Sequence, residues 1–237
     1  MAIQVKPAST GKLVLLIVVA AIVWGLDAWK KAHPDPVSRP TSGQTPQEPP
    51  RGDTTTPSTR SDSLGGYEVY RNCRLDSERH NDGDSFQVKL PDGRTETFRL
   101  YFVDTPESEF KEYASGETNH ERIRQQAEYF GITPEQAVEI GKKGKKFTLE
   151  RLAKMPFSLC TAWDSPYHDQ RYHAFIEIEE NGRSRSLDEL LVEQGLCRIF
   201  TKGADTPDGT PMAKRKDQLH ALERQARDRH VGAWGLR

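Results

Sequence analysis

Cysteine is scarce in this chain. Cys73, Cys160 and Cys197 are the only three in 237 residues, too few and too scattered for a disulfide framework or a zinc site. An odd count leaves room for one disulfide at most, with a thiol left over. Net charge is lacking too. Lys and Arg number 34 against 35 Asp and Glu, a formal balance of -1, so no chain-wide basic field exists to hold nucleic acid by counterion release. A nucleic-acid partner would have to be gripped by local clusters or through a metal. Apolar residues make up 35% and charged ones 29%, more polar than an average globular domain, which places long polar stretches outside any core. There is no internal repeat. GKKGKK, residues 141–146, lacks the spacing of a phosphate loop, and its lysines read as a solvated helix face, as do Lys214, Arg215 and Lys216. His168 and His173 have no partners at metal-binding spacing and read as surface or strand residues.

The length allows one ordinary domain with room to spare, or two small ones. A single long apolar run stands out, LVLLIVVAAIVWGLDAW, flanked by Lys6 and Lys12 before it and Lys30 and Lys31 after it. Its uncharged centre, Leu13 to Leu26, falls between the roughly 7–15 residues of a signal-peptide core and the roughly 17 or more of a spanning helix. The only candidate processing site, around Asp27 and Ala28, has a bulky Leu26 at −3, and Trp24 and Trp29 are placed as interfacial anchors. Residues 1–32 are therefore expected to be an uncleaved signal anchor, a transmembrane segment that ties the protein to a membrane. The alternative is a cleaved signal and a secreted protein. The flanking lysines nearly balance, but the short polar N-terminal tail puts the bulk of the chain outside the cytoplasm, in the periplasm or the extracellular space. Residues 33–66, dense in Pro, Ser and Thr, cannot bury enough surface to order themselves. They read as a disordered linker reaching roughly 100 Å at about 3 Å per residue.

The globular part is expected over 67–237. YEVYRNCRL, SFQVKL and TETFRLYFV read as three successive strands, with PDGR turning between the last two. Thr133, Pro134 and Gln136 form a capping box that opens a helix running through QAVEIGKKGKKFTLERLAK. FSLCTAW and RYHAFIEI follow as strands, and Asn181-Gly182 turns the chain. Ser186 and Glu189 suggest a second capping box, and Gly195 stops its helix. LCRIF is a short strand, and PMAKRKDQLHALERQARDRH a last amphipathic helix with Leu219 and Leu222 on its core face. The fold class this implies is α+β, mainly β: a five-stranded OB-fold barrel packed by about three helices.

Two acidic groups and two arginines carry the candidate chemistry. Asp82, Gly83 and Asp84 precede SFQVKL, and an Asp-Gly pair is by itself an ordinary turn. One hairpin later come Asp104 and Glu107. Antiparallel neighbours could bring Asp84 and Asp104 within a few ångström, where two buried carboxylates repel unless a cation intervenes. A hard divalent ion with oxygen ligands is the simplest resolution. Arg99 and Arg171, each of which singly reads as an edge arginine, supply together what phosphodiester cleavage needs: guanidiniums to clamp a phosphate, and a carboxylate to handle water. Strand parity adds a demand. Arg99 and Asp104 are five positions apart and face opposite sides of a regular strand, so the chain must bend or bulge before Asp104.

NDGDSFQV, FRLYFVDTPE, DQRYHAFIEI, EQGLCRIF and the closing RHVGAWG resemble, in that order, the thermonuclease family of staphylococcal nuclease. The resemblance covers residues 67–237, and RL-x-x-VDTPE is its most distinctive block. It implies an OB-fold barrel with helices and a calcium-dependent phosphodiesterase that acts on DNA and RNA and leaves 3′-phosphates. It further implies that Asp84, Asp104 and the Thr105 carbonyl bind Ca2+, with Asp82 in the outer shell. Glu107 would orient or deprotonate the attacking water, Arg99 bind phosphate, and Arg171 assist the leaving group and transition state. With few protein ligands, the ion should bind weakly without nucleotide.

The chain also departs from the family. Asp169 and Gln170 stand where a tyrosine and a glycine usually precede the second arginine, and the base-stacking tyrosines after LCRIF are missing, with Tyr167, Tyr172 and Phe200 as candidates to replace them. Ser108 to Phe130 is longer than in the founding member and is expected to form a rim or lid. The expectation is a membrane-anchored nuclease acting as a monomer without a protein partner. The rival is a catalytically weak or inactive nucleic-acid- or protein-binding module on the same barrel.

Overall fold

The computed structural model describes residues 62–76, 81–167 and 169–237. The expected signal anchor, most of the expected linker and His168 lie outside the described residues. Among the described residues no helix is long and apolar enough to cross a membrane.

Strands and helices follow the chain as β1 (Asp62–Leu64), β2 (Tyr67–Leu75), β3 (Ser85–Lys89), β4 (Thr95–Leu100), β5 (Val103–Asp104), α1 (His120–Phe130), α2 (Pro134–Lys154), β6 (Phe157–Thr161), β7 (Tyr172–Glu180), β8 (Arg183–Ser186), α3 (Leu187–Glu193), β9 (Arg198–Ile199) and α4 (Met212–Asp228). A 3₁₀ turn, Gly232–Gly235, ends the fold. Strand β2 pairs with β3 on one side and β6 on the other, β4 runs parallel to β7, and β6 and β7 are antiparallel. With the β3–β4 hairpin the ring β2-β3-β4-β7-β6 closes on itself, a five-stranded mixed barrel consistent with an OB-like fold. Strand β2 serves two neighbours because it bends: its register to β6 shifts between Tyr70 and Cys73, where Asn72 has φ 61°.

The barrel is filled by alternating side chains. Phe86 and Phe98 face each other across β3–β4, and both are fully buried with Val88, Leu159 and Ile176. The β3–β4 turn forms at PDGR as expected, Gly93 taking φ 91°, and Asn181-Gly182 turns β7 into β8 with φ 53° and 73°, the type I′ signature. The capping box at Thr133 and Gln136 is present in both directions, with Pro134 in the first turn.

Strand β1 begins at Asp62, within the stretch read as linker, and Gly65 and Gly66 fold it back onto β2 as a hairpin. Three expectations are corrected. Four helices, not three, are present among the described residues: the segment 108–130 contains α1, whose Ile123, Ala127 and Phe130 are buried and whose end is closed by Gly131 at φ 71°. The second capping box does not form. Ser186 makes no cap bond and donates instead to Asp188, while Glu189 is taken by Arg215. Arg215 is accordingly no solvated residue: it is buried, reaches both Asp188 oxygens at 2.8 and 2.9 Å, and ties α4 to α3. No disulfide forms. All three cysteines are buried and free, and burial pushes the Cys73 and Cys160 thiols up to about 12 and about 11, which leaves them unreactive.

Gly195 stops α3 with φ 62°, and the close of the chain packs onto it: the Ala233 N–H donates to the Gly195 carbonyl at 3.0 Å. A Cβ at this position would lie 2.4 Å from the Val231 carbonyl oxygen. Gly195→Ala is therefore expected to cost about 3 kcal/mol, combining left-handed strain with overpacking, measured as a lowered urea midpoint at unchanged m-value.

Candidate active site

The site begins where β4 ends. Phe102 adopts φ 65°, and the Val103 N–H turns back to the Tyr101 carbonyl at 2.8 Å. The turn breaks the strand and redirects the chain, so Asp104 comes round to Arg99, as the parity argument required. Asp104 then pairs across the short β5–β9 ribbon with Arg198. Arg99 lies opposite Ser85 on β3 and His173 on β7. Its Nη2 donates to Asp84 at 3.0 Å and to Asp104 at 2.9 Å, so one guanidinium spans the two expected carboxylates. Its Nε has no hydrogen-bond partner among the described residues.

Helix α2 holds both acidic loops. Thr148 donates its hydroxyl to the Gly83 carbonyl at 2.7 Å, which fixes the Asp82-Gly83-Asp84 turn. Gly141 sits directly under the other loop: a Cβ there would be 2.3 Å from the Glu107 carbonyl oxygen and 2.5 Å from that of Pro106. The two loops also touch each other, since a Cβ on Gly83 would be 2.7 Å from Thr105 Oγ1. The lysines of GKKGKK do lie outward, but the glycine between Ile140 and Lys142 is a contact point that the chain needs.

Asp104 is 1% exposed and accepts four hydrogen bonds. Arg99 and Arg122 reach Oδ1 at 2.9 and 2.6 Å, and Gln126 and Arg198 reach Oδ2 at 3.0 and 2.6 Å. Burial works to raise its pKa, but the guanidiniums of Arg122 and Arg198, the Gln126 bond and Arg99 outweigh it and hold the carboxyl below its usual range. Asp84 is in the opposite condition. Burial pushes it up to about 7 against the pull of Arg99, its one ion-pair partner among the described residues, with the charge of Asp104 adding to the rise. Gln126 also donates to the Thr105 carbonyl at 3.1 Å and accepts the Glu107 N–H at 3.0 Å. Glu107 Oε1 lies 3.0 Å from Arg122 Nε. Asp82, half-buried, accepts the N–H of Gly83 at 2.9 Å and touches none of the arginines at hydrogen-bonding distance.

A cleft of about 560 Å³ opens over this cluster, and Arg99, Arg122, Arg171 and Arg198 all line it together with Asp104. Arg171 stands just before β7 and is held by Asp169, its Nε 2.9 Å from Oδ2. Gln170, in the position where the resembled family has glycine, takes φ 61°, a conformation glycine adopts without strain. Tyr167 and Phe200 are exposed at the same cleft. Tyr172 is half-buried, packs against Phe98 and Trp163 and does not line this cleft. Asp84 and Glu107 do not line the cleft and connect to it through Arg99 and Arg122.

Three residues of this cluster were not picked out from the sequence. Arg198 carried the same mark as Arg99, a lone arginine in a short apolar strand. Arg122 and Gln126 sit on α1, in the segment read as a rim or lid; the spacing Ile123-Ala127-Phe130 and the closing Gly131 are the signal for a helix there, although nothing local announces that its polar face meets Asp104.

Among the described residues no three His, Cys, Asp or Glu side chains converge as a ready-made metal cage; two carboxylates and a carbonyl are a different donor set. In kind these residues fit a hard cation: Asp84, Asp104 and the Thr105 carbonyl offer only oxygen, and buried Asp84 shares its one guanidinium partner with Asp104. No protein-family model matches the chain, and no curated protein matches it at a significant level.

Gly141→Ala is a sharp test of how the site is built. Alanine favours a helix over glycine by about 1 kcal/mol, yet here the added methyl meets the backbone of the Glu107 loop. The variant is expected to be less stable by about 1–3 kcal/mol in thermal or urea unfolding. A gain in stability would show that α2 does not set the position of Glu107.

Proposed function

We propose that this protein is a calcium-dependent phosphodiesterase of the thermonuclease type, cutting DNA and RNA on an OB-fold barrel. One observation carries the reading: the break at Tyr101–Phe102 brings Asp104 to Arg99 and Asp84, with Glu107 beside them and Arg171 across the same cleft. A straight strand would have separated them.

In this reading Asp84, Asp104 and the Thr105 carbonyl hold Ca2+, with Asp82 in its outer shell, and the bound ion supplies positive charge to a phosphate oxygen. The residues of the chain do the rest. Arg99, whose Nε has no hydrogen-bond partner among the described residues, binds the phosphate that enters the cleft. Arg171 neutralises charge that builds on the phosphate and leaving oxygens in the transition state. Glu107 orients or deprotonates the water. Phe200, 63% exposed with its ring 3.8 Å from the Arg198 guanidinium, offers a flat surface at the cleft for a base. The charge balance of the whole chain is near zero, so affinity for polynucleotide rests on these local guanidiniums.

The proposed setting is a monomer anchored to a membrane by residues 1–32, with the nuclease outside the cytoplasm, or a secreted form after signal cleavage. A second reading, a binding module without catalysis, draws on the fact that all four acceptor positions of Asp104 are already filled by protein donors. Digestion separates the two. The full chain is expected to cut single-stranded DNA and RNA with Ca2+ and to stop with chelator. Glu107→Gln should lower kcat/KM by roughly 10²–10⁴, and Arg99→Ala by roughly 10²–10³. Activity that survives chelation, or is unchanged in both variants, would sink the mechanism. Binding without cutting under every condition would establish the binding module.

A further inference from the structure

Asp104 cannot take a cation while all four of its acceptor positions are occupied, so one donor has to leave, and the four are not equally free to do so. Arg99 and Arg198 have side chains only 6% and 5% exposed. Arg99 is also bound to Asp84, and Arg198 lies over the Phe200 ring. Gln126 is fully buried and clamps the Thr105 carbonyl and Glu107 N–H at the same time. Arg122 differs: its side chain is 39% exposed and lines the cleft. Its second contact, to Glu107, is a close approach at 3.0 Å in which Nε makes no aligned hydrogen bond. An ion pair of that kind at a half-exposed side chain is weak. Glu107 itself does not line the cleft, and Arg122, which does, is its ion-pair partner.

We infer that Arg122 is the exchangeable cation of this site: in the free protein it holds Asp104 and Glu107, and a phosphate entering the cleft draws it off both carboxylates. The inference rests on the phosphodiesterase reading and adds a residue to it. A guanidinium binds phosphate in the same forked geometry that it uses for a carboxylate, so the exchange replaces one anion with another. Its consequence is thermodynamic. Phosphate binding uncovers the calcium ligand Asp104, and by linkage calcium must strengthen phosphate binding by the same factor. Arg122 therefore makes the two ligands cooperative and keeps Glu107 covered until a substrate is present.

The test is calorimetry on the full chain with Ca2+ alone, thymidine 5′-monophosphate alone, and Ca2+ in saturating nucleotide. In the wild type, nucleotide is expected to raise calcium affinity by about tenfold or more. In Arg122→Ala, calcium should bind about tenfold tighter without nucleotide, nucleotide alone should bind more weakly, and the coupling should fall to about twofold or less. Arg122→Gln, which keeps a polar but shorter and uncharged side chain, carries the same expectation if the alanine variant does not fold. Arg124→Ala removes equal charge from the exposed side of the same helix, where Arg124 pairs with Glu121, and should leave all three quantities within about twofold. Equal coupling in wild type and both Arg122 variants overturns the inference and leaves the calcium reading standing. No calcium binding by any form, with or without nucleotide, overturns both.

Discussion

A carboxylate removed from water must be matched by donors or it will not stay charged, and Asp104 is where this protein meets that constraint. Taking the group out of water costs several kcal/mol, which the four donors around it offset. Those donors come from three places: Arg99 from β4, Arg122 and Gln126 from α1, and Arg198 from β9. The barrel wall, the inserted helix and the short ribbon are thus brought to one point by one charge. Losing any single partner leaves the remaining groups imperfectly paired, and so disturbs more than the contact removed.

The second layer of the site is built on close approaches to backbone. Helix α2 meets the main chain of the Glu107 loop at Gly141 and fixes the Gly83 carbonyl through the Thr148 hydroxyl, and Gly83 in turn lies against the Thr105 side chain. At Gly141 main chain meets main chain with no rotamer to relax, which locates the Glu107 loop tightly. Arg122 sits outside this frame, at the cleft, with an exposed side chain where Arg99 and Arg198 are buried.

Much of this was legible beforehand, for identifiable reasons. Period-two patterning and the turns PDGR and Asn181-Gly182 located the barrel strands, and the Thr133–Gln136 box located α2. The offset between Arg99 and Asp104 even required the bend that Phe102 supplies. What failed depended on partners far away in the sequence. Ser186 and Glu189 have the spacing of a capping box, but Arg215 on α4 competes for the acidic groups there. The glycines in GKKGKK looked incidental because the loop that presses on Gly141 arrives from more than thirty residues earlier in the chain. Arg122 and Gln126 were hidden in a segment read only as a rim, because which face of α1 meets Asp104 is decided by the docking of Ile123, Ala127 and Phe130.

The parallel pairing of β4 with β7 has a bearing on how the chain acquires its site. Phe98, Arg99 and Leu100 meet Tyr172, His173 and Ala174, and both α1 and α2 have to be laid down between them. Pairings of such long sequence separation form late, since the loop must close before the contacts can reward it. Arg99 and Arg171 are therefore strangers throughout synthesis, and Asp104 meets Arg198 later still. A chain that stops before Arg171 still has the β3–β4 hairpin and both acidic loops, but lacks β7, which closes the barrel beside Arg99, and β9, which brings Arg198 to Asp104. The acidic half of the site is thus local in the chain, and the cationic half is completed only when the barrel closes.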